Sequence, residues 1–314
     1  VDSCKTGRSI MEIIKGIENY LHTFPTAVTV GKFDGIHQGH EALVSLITSE
    51  KNLKSVMVTF GKSPKQVLFD PDMKFIVTEE ERNAILEKQG IDILLILPFD
   101  DDLMHLSPED FIGMLVEKVH MRYMAVGSDF TFGYMGAGNT TLLKKLSDEL
   151  HFKCDVIKKI QEDGADISST RIRDLIKKGD VKEARRLLGR PYFIYGDIVH
   201  GKHIGTGMGI PTINLIPPEK KLLPPFGVYI TTVDIGGRIY HGVTNVGNNP
   251  TISDGNRITV ETNLLDVNTN LYGETAAVTF YEYLRPQKKF ESIEALKAEI
   301  EKNIRQAREF FNRD

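Results

Sequence analysis

Hydrophobic residues in the first half of the chain occur in short continuous runs, and the segments between the runs carry apolar residues at helical spacing. This alternation predicts βαβ units around a parallel sheet, whose ligands bind beyond the carboxyl ends of the strands. The predicted strands are Thr26–Val30, Ser55–Phe60, Ile93–Pro98, Met121–Val126 and Cys154–Ile160. The predicted helices are His40–Ser49, Glu79–Gln89, Pro108–His120 and Thr140–His151.

The second half has a different pattern, in which strand-like runs are separated by Gly, Pro and Asn clusters. A long helical pattern returns only at Ser292–Phe311. Five or six short strands followed by one helix predict a small barrel with a helix packed on it. The runs are Tyr192–Val199, Gly227–Asp234, Arg238–Val246, Thr259–Leu265 and Ala276–Tyr283.

The length of 314 residues suggests two domains, at roughly 150 residues per domain. We expect the first domain to span residues 11–186 and the second residues 187–314. Residues 1–10 precede Met11, and we expect them to be an artificial extension.

Charge and cysteine content narrow the class of partners. The net charge is −4, so no overall basic field favours nucleic acid. The two cysteines cannot build a disulfide framework and fit a reducing compartment. No apolar run approaches the ~20 residues of a membrane span, and Val1–Ile10 lacks the apolar core of a signal peptide. We therefore expect a cytoplasmic protein with neither nucleic-acid nor membrane partners.

A turn of sequence GKFDGIHQGH, residues 31–40, follows the first predicted strand and opens a helix. His37 and His40 are three residues apart, so both rings can project to the same side. The helix start favours an anion, and two imidazoles add donors for charge that develops on a transferred phosphate. A turn with two surface histidines is the bland alternative, but the complete string favours nucleotidyl transfer.

Two further segments are candidates for the same site. Residues 167–173, ISSTRIR, place hydroxyls and arginines at a helix start, which alone is also typical of an ordinary capped helix. Residues 127–133, GSDFTFG, follow a predicted strand, and their aromatic rings alone more often pack than bind. We expect the three segments to converge at one edge of the sheet.

These segments resemble the adenylyltransferase half of the bacterial bifunctional riboflavin kinase/FMN adenylyltransferase family, which carries a HIGH-type nucleotidyltransferase motif. The resemblance implies a Rossmann-like α/β domain that converts FMN and ATP to FAD and pyrophosphate. It implies catalytic roles for His37 and His40 and flavin contacts for Phe60 and Asp129. The ATP and phosphate contacts it implies are Gly31, Phe33, Asp34, Gly39, Ser169, Thr170, Arg171 and Arg173.

The first candidate functional segment of the second half is glycine-rich and spans residues 201–215. It lacks the G-x-G-x-x-G spacing of a dinucleotide fingerprint and the Lys-Ser/Thr of a Walker loop. Thr212 and Asn214 are two apart on an extended segment, and their oxygens suit Mg²⁺. Glu261 lies in a predicted strand, where it could accept a hydroxyl proton. An ordinary glycine-rich hairpin and an exposed strand carboxylate are the alternatives.

These residues resemble the riboflavin kinase half of the same family, together with residues 187–192, 225–229, 242–247 and 284–290. The resemblance implies a six-stranded antiparallel β-barrel with a C-terminal helix that phosphorylates riboflavin to FMN with ATP. It implies Mg²⁺ on Thr212 and Asn214 and a catalytic base at Glu261. The ATP contacts it implies are Gly205, Gly207, Gly209, Pro211 and Asn245.

Three positions depart from the family pattern. Lys32 replaces an Asn, Lys62-Ser63-Pro64 replaces a Pro-His-Pro, and Thr206 replaces a basic residue. Two alternatives stay open at this point: an enzyme in which only one half is active, and a non-catalytic flavin or nucleotide sensor that binds RNA.

Overall fold

The computed structural model describes residues 10–61, 72–199, 212–248, 258–267, 271 and 273–312. The chain divides into two compact units, which we describe separately. The first unit contains residues 1–73 and 79–168, and the second contains residues 74–78 and 169–314. Several residues of interest lie outside the described residues: Lys62, Ser63, Pro64, Gly205, Thr206, Gly207, Gly209 and Pro211.

The first unit is built on a six-stranded parallel sheet of order β1-β4-β3-β2-β5-β6. Its strands are β1 (Glu12–Lys15), β2 (Thr26–Val30), β3 (Lys54–Phe60), β4 (Ile93–Leu97), β5 (Met121–Gly127) and β6 (Lys153–Ile157). Its helices are α1 (Gln38–Ser49), α2 (Glu79–Gln89), α3 (Asp101–Met104), α4 (Pro108–Lys118) and α5 (Thr140–Glu149).

Helices connect successive strands of the sheet, which makes the strands parallel and buries the central ones. Every residue of β2 and β4 is buried, which agrees with the continuous apolar sequence of β4 and the Ala, Val and Thr residues of β2. The helices start at caps visible in the sequence. Ser107 accepts a hydrogen bond from the Asp110 backbone N–H at the start of α4. The hydrophobic pattern does not predict β1, because this four-residue strand has charged residues at both ends.

A short hairpin follows β6 and was also not predicted. Its strands are β7 (Gln161–Glu162) and β8 (Ala165–Asp166), which pair antiparallel. The turn between them holds Asp163 and Gly164 at φ 53° and 72°. Its short polar strands carry too few residues for an alternating pattern to be recognised.

Among its described residues, the second unit contains three helices and a closed antiparallel barrel of order β10-β13-β12-β11-β14-β9. Its helices are α6 (Ser169–Lys178), α7 (Val181–Leu188) and α8 (Ile293–Phe311). The barrel strands are β9 (Tyr192–Val199), β10 (Thr212–Leu215), β11 (Gly227–Ile235), β12 (Arg238–Asn248), β13 (Ile258–Leu264) and β14 (Thr275–Pro286). The expected combination of a Rossmann-like domain, a six-stranded barrel and a C-terminal helix is confirmed.

The barrel has a buried polar line as well as an apolar core. The Thr231 and Thr244 hydroxyl oxygens are 2.7 Å apart, and those of Thr244 and Thr262 are 2.8 Å apart. All three residues are fully buried, so the hydroxyls satisfy one another. Helix α8 packs on the barrel's outer face, where Ala307 joins a cluster with Val228 and Val243.

Within the described part of the chain, we find no helix with both the length and the apolar composition of a membrane span.

Gly133 and Gly164 provide a matched test of packing in the first unit. Both have left-handed backbones, at φ 73° and 72°. A Cβ at Gly133 would lie 2.5 Å from the Pro108 nitrogen, whereas a Cβ at Gly164 would meet nothing within 4 Å. We expect Gly133→Ala to lower the free energy of unfolding by about 2–4 kcal/mol, because backbone strain adds to overpacking. Gly164→Ala should cost only about 1–2 kcal/mol. Equal shifts in thermal unfolding would contradict this account.

Candidate active sites

The order of the parallel sheet creates a crevice between β2 and β5. The chain proceeds from β2 through β3 to β4 on one side, and β5 and β6 lie on the other. The direction of strand order therefore reverses between β2 and β5. Ligands of open parallel sheets bind at such a reversal, beyond the carboxyl ends of the strands. The GKFDGIHQGH turn follows β2 and the GSDFTFG turn begins at the last residue of β5, so both lie at this point.

The two histidines of the first turn stack on each other. The ring centroids of His37 and His40 are 3.8 Å apart, with an interplanar angle of 18°. Phe33 meets the His40 ring edge-on at 5.1 Å. His37 is the residue before α1 and is buried, and its carbonyl accepts hydrogen bonds from the backbone N–H of His40 and Glu41. The expected orientation of both rings toward one side is thus observed.

The backbone of this turn is held in an uncommon conformation. Phe33 and Ile36 have φ values of 48° and 44°, although both carry bulky side chains. Both side chains are almost completely buried and anchor the turn in the core. Backbone strain of this kind persists only when packing enforces it, and it concentrates at functional sites.

Two glycines permit the close approach of the rings. A Cβ at Gly39 would lie 3.2 Å from the His37 ring, and a Cβ at Gly31 would lie 3.1 Å from the Phe33 ring. Both contacts are tighter than ordinary van der Waals distances, so larger residues would displace the rings. Asp34 lies in the same turn and is buried.

The turn after β5 carries an acidic group and two stacked aromatic rings. Phe130 and Phe132 stack with centroids 5.3 Å apart, and Phe132 is buried in the core. Asp129 is exposed and forms an ion pair of 3.0 Å with Lys159. The hydrogen bond and charge of Asp129 raise the pKa of Lys159, which keeps the ammonium charged. Phe60, at the end of β3, contacts Phe99 edge-on at 5.8 Å.

The ISSTRIR segment belongs to the second unit from residue 169 onward. Ser169 and Thr170 are the first two residues of α6, and Arg171 and Arg173 follow within its first turns. Hydroxyl groups and backbone N–H groups at a helix start suit phosphate. The convergence of this segment with the histidine turn stays a prediction.

The barrel brings the predicted residues of the second half together. The Thr212 hydroxyl donates a hydrogen bond of 2.8 Å to Glu261 Oε1. Asn214 lies directly opposite Glu261 on β13, and Glu261 lies directly opposite Asn245 on β12. Residues that face each other across strands share one side of a sheet. Asn214, Glu261 and Asn245 therefore form a row across three strands, with Thr212 beside it.

This row lies on the outer side of the barrel. Asn245 is two residues from Val243, which packs toward α8, so the two side chains share a face. Thr244 and Thr262, which alternate with Asn245 and Glu261, are the ones buried inside. Hydroxyl, amide and carboxylate oxygens are therefore presented on the barrel surface. The 284–290 segment contacts α8, because Arg285 Nε donates a hydrogen bond of 3.1 Å to Asn303 Oδ1 on that helix.

Comparisons with known proteins match each half of the chain to a family. Residues 21–171 match the family model of FAD synthetase, and residues 188–311 match that of riboflavin kinase. The bifunctional riboflavin kinase/FMN adenylyltransferase of Bacillus subtilis is 33% identical over 91% of this chain and 93% of its own length. The enzyme of the same name in Escherichia coli is 34% identical over 96% of this chain and 98% of its own.

The chain belongs to the bifunctional riboflavin kinase/FMN adenylyltransferase family. The expected family and its two activities in flavin cofactor synthesis are confirmed, and riboflavin, FMN and ATP are its small-molecule substrates. A crystal structure titled a macrolide-efflux protein of Streptococcus pneumoniae also resembles the chain. It has a TM-score of 0.86 and 32% identity, and the match covers 96% of this chain and 99% of that one.

Sequence reasoning missed two charged residues near these sites. Lys159 lies beyond the end of β6 and pairs with Asp129, yet a lysine in a polar loop gives no signal by itself. Glu183 of α7 holds Arg186 at 2.6 Å and lies 3.9 Å from Arg171. Its spacing from Arg186 is an ordinary i, i+3 pair, so only the structure relates it to Arg171.

The histidine pair yields a direct prediction for this bifunctional enzyme. We expect the double variant His37→Ala, His40→Ala to lower FAD formation from FMN by about 10³-fold or more, because donors to the transferred phosphate are lost. FMN formation from riboflavin should persist and shows that the protein is folded. His151→Asn is the control, because it removes an imidazole just before β6, at the amino edge of the sheet. Unchanged FAD formation would exclude the histidine turn as the site.

Proposed function

We propose that the histidine turn carries adenylyl transfer and that the outer row of the barrel carries riboflavin phosphorylation. The observation that carries the proposal is that each unit presents its own set of reactive groups. The first unit presents the stacked pair His37 and His40, and the second presents Glu261 beside Thr212. Two different phosphorus atoms of ATP can therefore be attacked at two separate places.

In adenylyl transfer, an oxygen of the FMN phosphate attacks the α-phosphorus of ATP and the bond to pyrophosphate breaks. The attacking oxygen is already anionic at neutral pH, so the step needs no general base. His37 and His40 donate to the developing charge, and the turn holds the reactants in line. The proposed phosphate contacts are Gly31, Phe33, Asp34, Gly39, Ser169, Thr170, Arg171 and Arg173. Phe60 and Asp129 are the proposed flavin contacts.

In riboflavin phosphorylation, the terminal ribityl hydroxyl attacks the γ-phosphorus of ATP and ADP leaves. Glu261 accepts the hydroxyl proton. The 2.8 Å hydrogen bond from Thr212 orients this carboxylate. Asn245 is directly across from Glu261, and it is the proposed contact to the ATP phosphates. We assign Gly205, Gly207, Gly209 and Pro211 to the same phosphates on the family resemblance alone.

The barrel residues fit Mg²⁺ in their donor chemistry. Thr212 and Asn214 offer neutral oxygens, which are hard ligands, while substrate phosphates and water complete the shell of this ion. A search of the described ranges finds no cluster of three His, Cys, Asp or Glu that could hold a metal without substrate. When bound, Mg²⁺ would neutralise charge on the transferred phosphate. Thr212 and Asn214 would hold it.

We further propose that residues 11–186 serve adenylyl transfer and residues 187–314 serve phosphorylation. Helices α6 and α7 belong to the same compact unit as the barrel. However, α6 begins with the phosphate-binding hydroxyls proposed for the transferase, and the FAD synthetase match extends to residue 171. Consumption of ATP in both steps supports a cytoplasmic location.

Glu261 can be tested without disturbing the fold. We expect Glu261→Gln to lower riboflavin kinase turnover by about 10²–10⁴-fold, because the amide cannot accept the proton. FMN adenylylation, assayed on the same sample by chromatography, should persist. Glu282→Gln is the matched control, since it also removes a carboxylate from a barrel strand but lies on β14. Loss of both activities in Glu261→Gln would refute the division of labour.

Asn214 tests the proposed metal site. We expect Asn214→Ala to raise the Mg²⁺ concentration that gives half-maximal kinase activity by about 10-fold or more. Asn303→Ala is a suitable control, because Asn303 is also a buried amide but lies on α8. The Mg²⁺ dependence of Asn303→Ala should match that of the wild type. An unchanged dependence in Asn214→Ala would remove Asn214 from the site.

A further inference from the structure

Three loops of the first unit leave adjacent strands at the carboxyl edge of the sheet. They follow β2, β5 and β6, which are neighbours in the strand order. The first loop holds the histidine pair and the second holds Asp129. Lys159 lies in the third loop, two residues beyond the end of β6. Its ammonium is 3.0 Å from Asp129 Oδ2 and 3.5 Å from Asp166 Oδ2.

The backbone on both sides of this ion pair is fixed. The Ser128 N–H donates to the Ile157 carbonyl at 2.9 Å, which joins the Asp129 turn to the end of β6. The Ile167 N–H donates to the Ile160 carbonyl at 2.9 Å, which closes the β7–β8 hairpin beyond Lys159.

Both carboxylates have a neighbour besides Lys159. Gln161 donates to Asp166 Oδ1 at 3.0 Å and so holds the second carboxylate that Lys159 meets. A Cβ at Gly127 would lie only 3.1 Å from Asp129 Oδ1, so the absence of a side chain at Gly127 leaves room for that carboxylate.

The ion pair adds little to stability, so its position needs another reason. The side chains of Lys159, Asp129 and Asp166 are 37%, 64% and 41% exposed. Ion pairs at such exposure contribute about 0–1 kcal/mol. Removing the lysine should therefore leave the fold intact, and any larger effect must come from the local electric field.

The electric field around Asp129 and Lys159 matters because the carboxyl edge of the sheet is proposed to bind FMN and ATP. FMN and ATP both carry phosphate groups, and a bare carboxylate beside them would repel them. Asp129 stands beside the β2–β5 crevice and is the acidic group of its turn. The contact with Lys159 places a positive charge directly on this carboxylate. The ammonium offsets the charge of Asp129, so the cluster of Lys159, Asp129 and Asp166 carries one negative charge instead of two.

We propose that Lys159 is a positioning residue for adenylyl transfer, which neutralises and orients Asp129 so that a phosphate-bearing substrate can occupy the crevice. This inference rests on the proposed function of the histidine turn. It assigns Lys159 no contact with the reacting atoms. The substrate affected is FMN, ATP or both, since the chemistry is that of the phosphate group.

The test compares Lys159→Met with the wild type in the full chain, measuring KM for FMN and for ATP in FAD formation. We expect KM for at least one substrate to rise about 10-fold while kcat changes less than about 3-fold. The rise should shrink as ionic strength increases, because exposed charges are screened over about 10 Å at 0.1 M salt. A purely structural role would not produce that salt dependence. The substrate whose KM rises is the one whose binding depends on Lys159.

Three further variants sharpen the result. Lys159→Arg should restore most of the lost affinity, since it keeps the charge. Lys158→Met makes the same change in net charge at the neighbouring exposed position and should leave KM unchanged. In an Asp129→Asn background, Lys159→Met should have little further effect, because the carboxylate that it neutralises is gone.

The inference is overturned if Lys159→Met leaves both KM values unchanged, if its effect does not vary with salt, or if it is equally large in the Asp129→Asn background. Riboflavin kinase activity of each sample reports on folding. Failure of the proposed function is distinguished by the wild type and the histidine double variant. If these form FAD equally well, the histidine turn is not the site, whatever Lys159 does.

Discussion

Parallel pairing between β2 and β5 determines where the histidine turn and the Asp129 turn of the first unit lie. The two strands are neighbours although about ninety residues separate them, and the order of the sheet reverses at this pair. Their carboxyl ends therefore open a crevice, and the loops that follow them must face it. The histidine turn follows β2 and the Asp129 turn follows β5, so both lie at this crevice. The left-handed backbone at Phe33 and Ile36 is maintained by the same packed core.

In the second unit, antiparallel register has the corresponding role. Pairing Asn214 with Glu261 and Glu261 with Asn245 puts three oxygen-bearing side chains on one face of three strands. A shift of one residue in either pairing would send Glu261 into the barrel, among the buried threonines. The outer face also receives α8 through Val243. Register therefore separates a polar surface from a filled interior within the same strands.

Much of the fold followed from local pattern. The run that became β4 is continuously apolar because both faces of a parallel sheet are covered. The edge strand β1 and the β7–β8 hairpin were not predicted. They are too short and polar to show an alternation of apolar and polar residues. Lys159 escaped for a related reason. Its meaning depends on Asp129, thirty residues earlier in the chain, and no local pattern connects them.

The sequence alone determined the family, the alternation of strands and helices, the barrel with its terminal helix, and the residue types proposed to bind phosphate. These are properties of local spacing and of motifs whose members are close along the chain. Tertiary structure alone decided which side chains meet: the 3.8 Å ring stack, the Thr212–Glu261 hydrogen bond and the Lys159–Asp129 pair. Such contacts depend on strand order and register, which are set by the packing of the whole unit and not by any one segment.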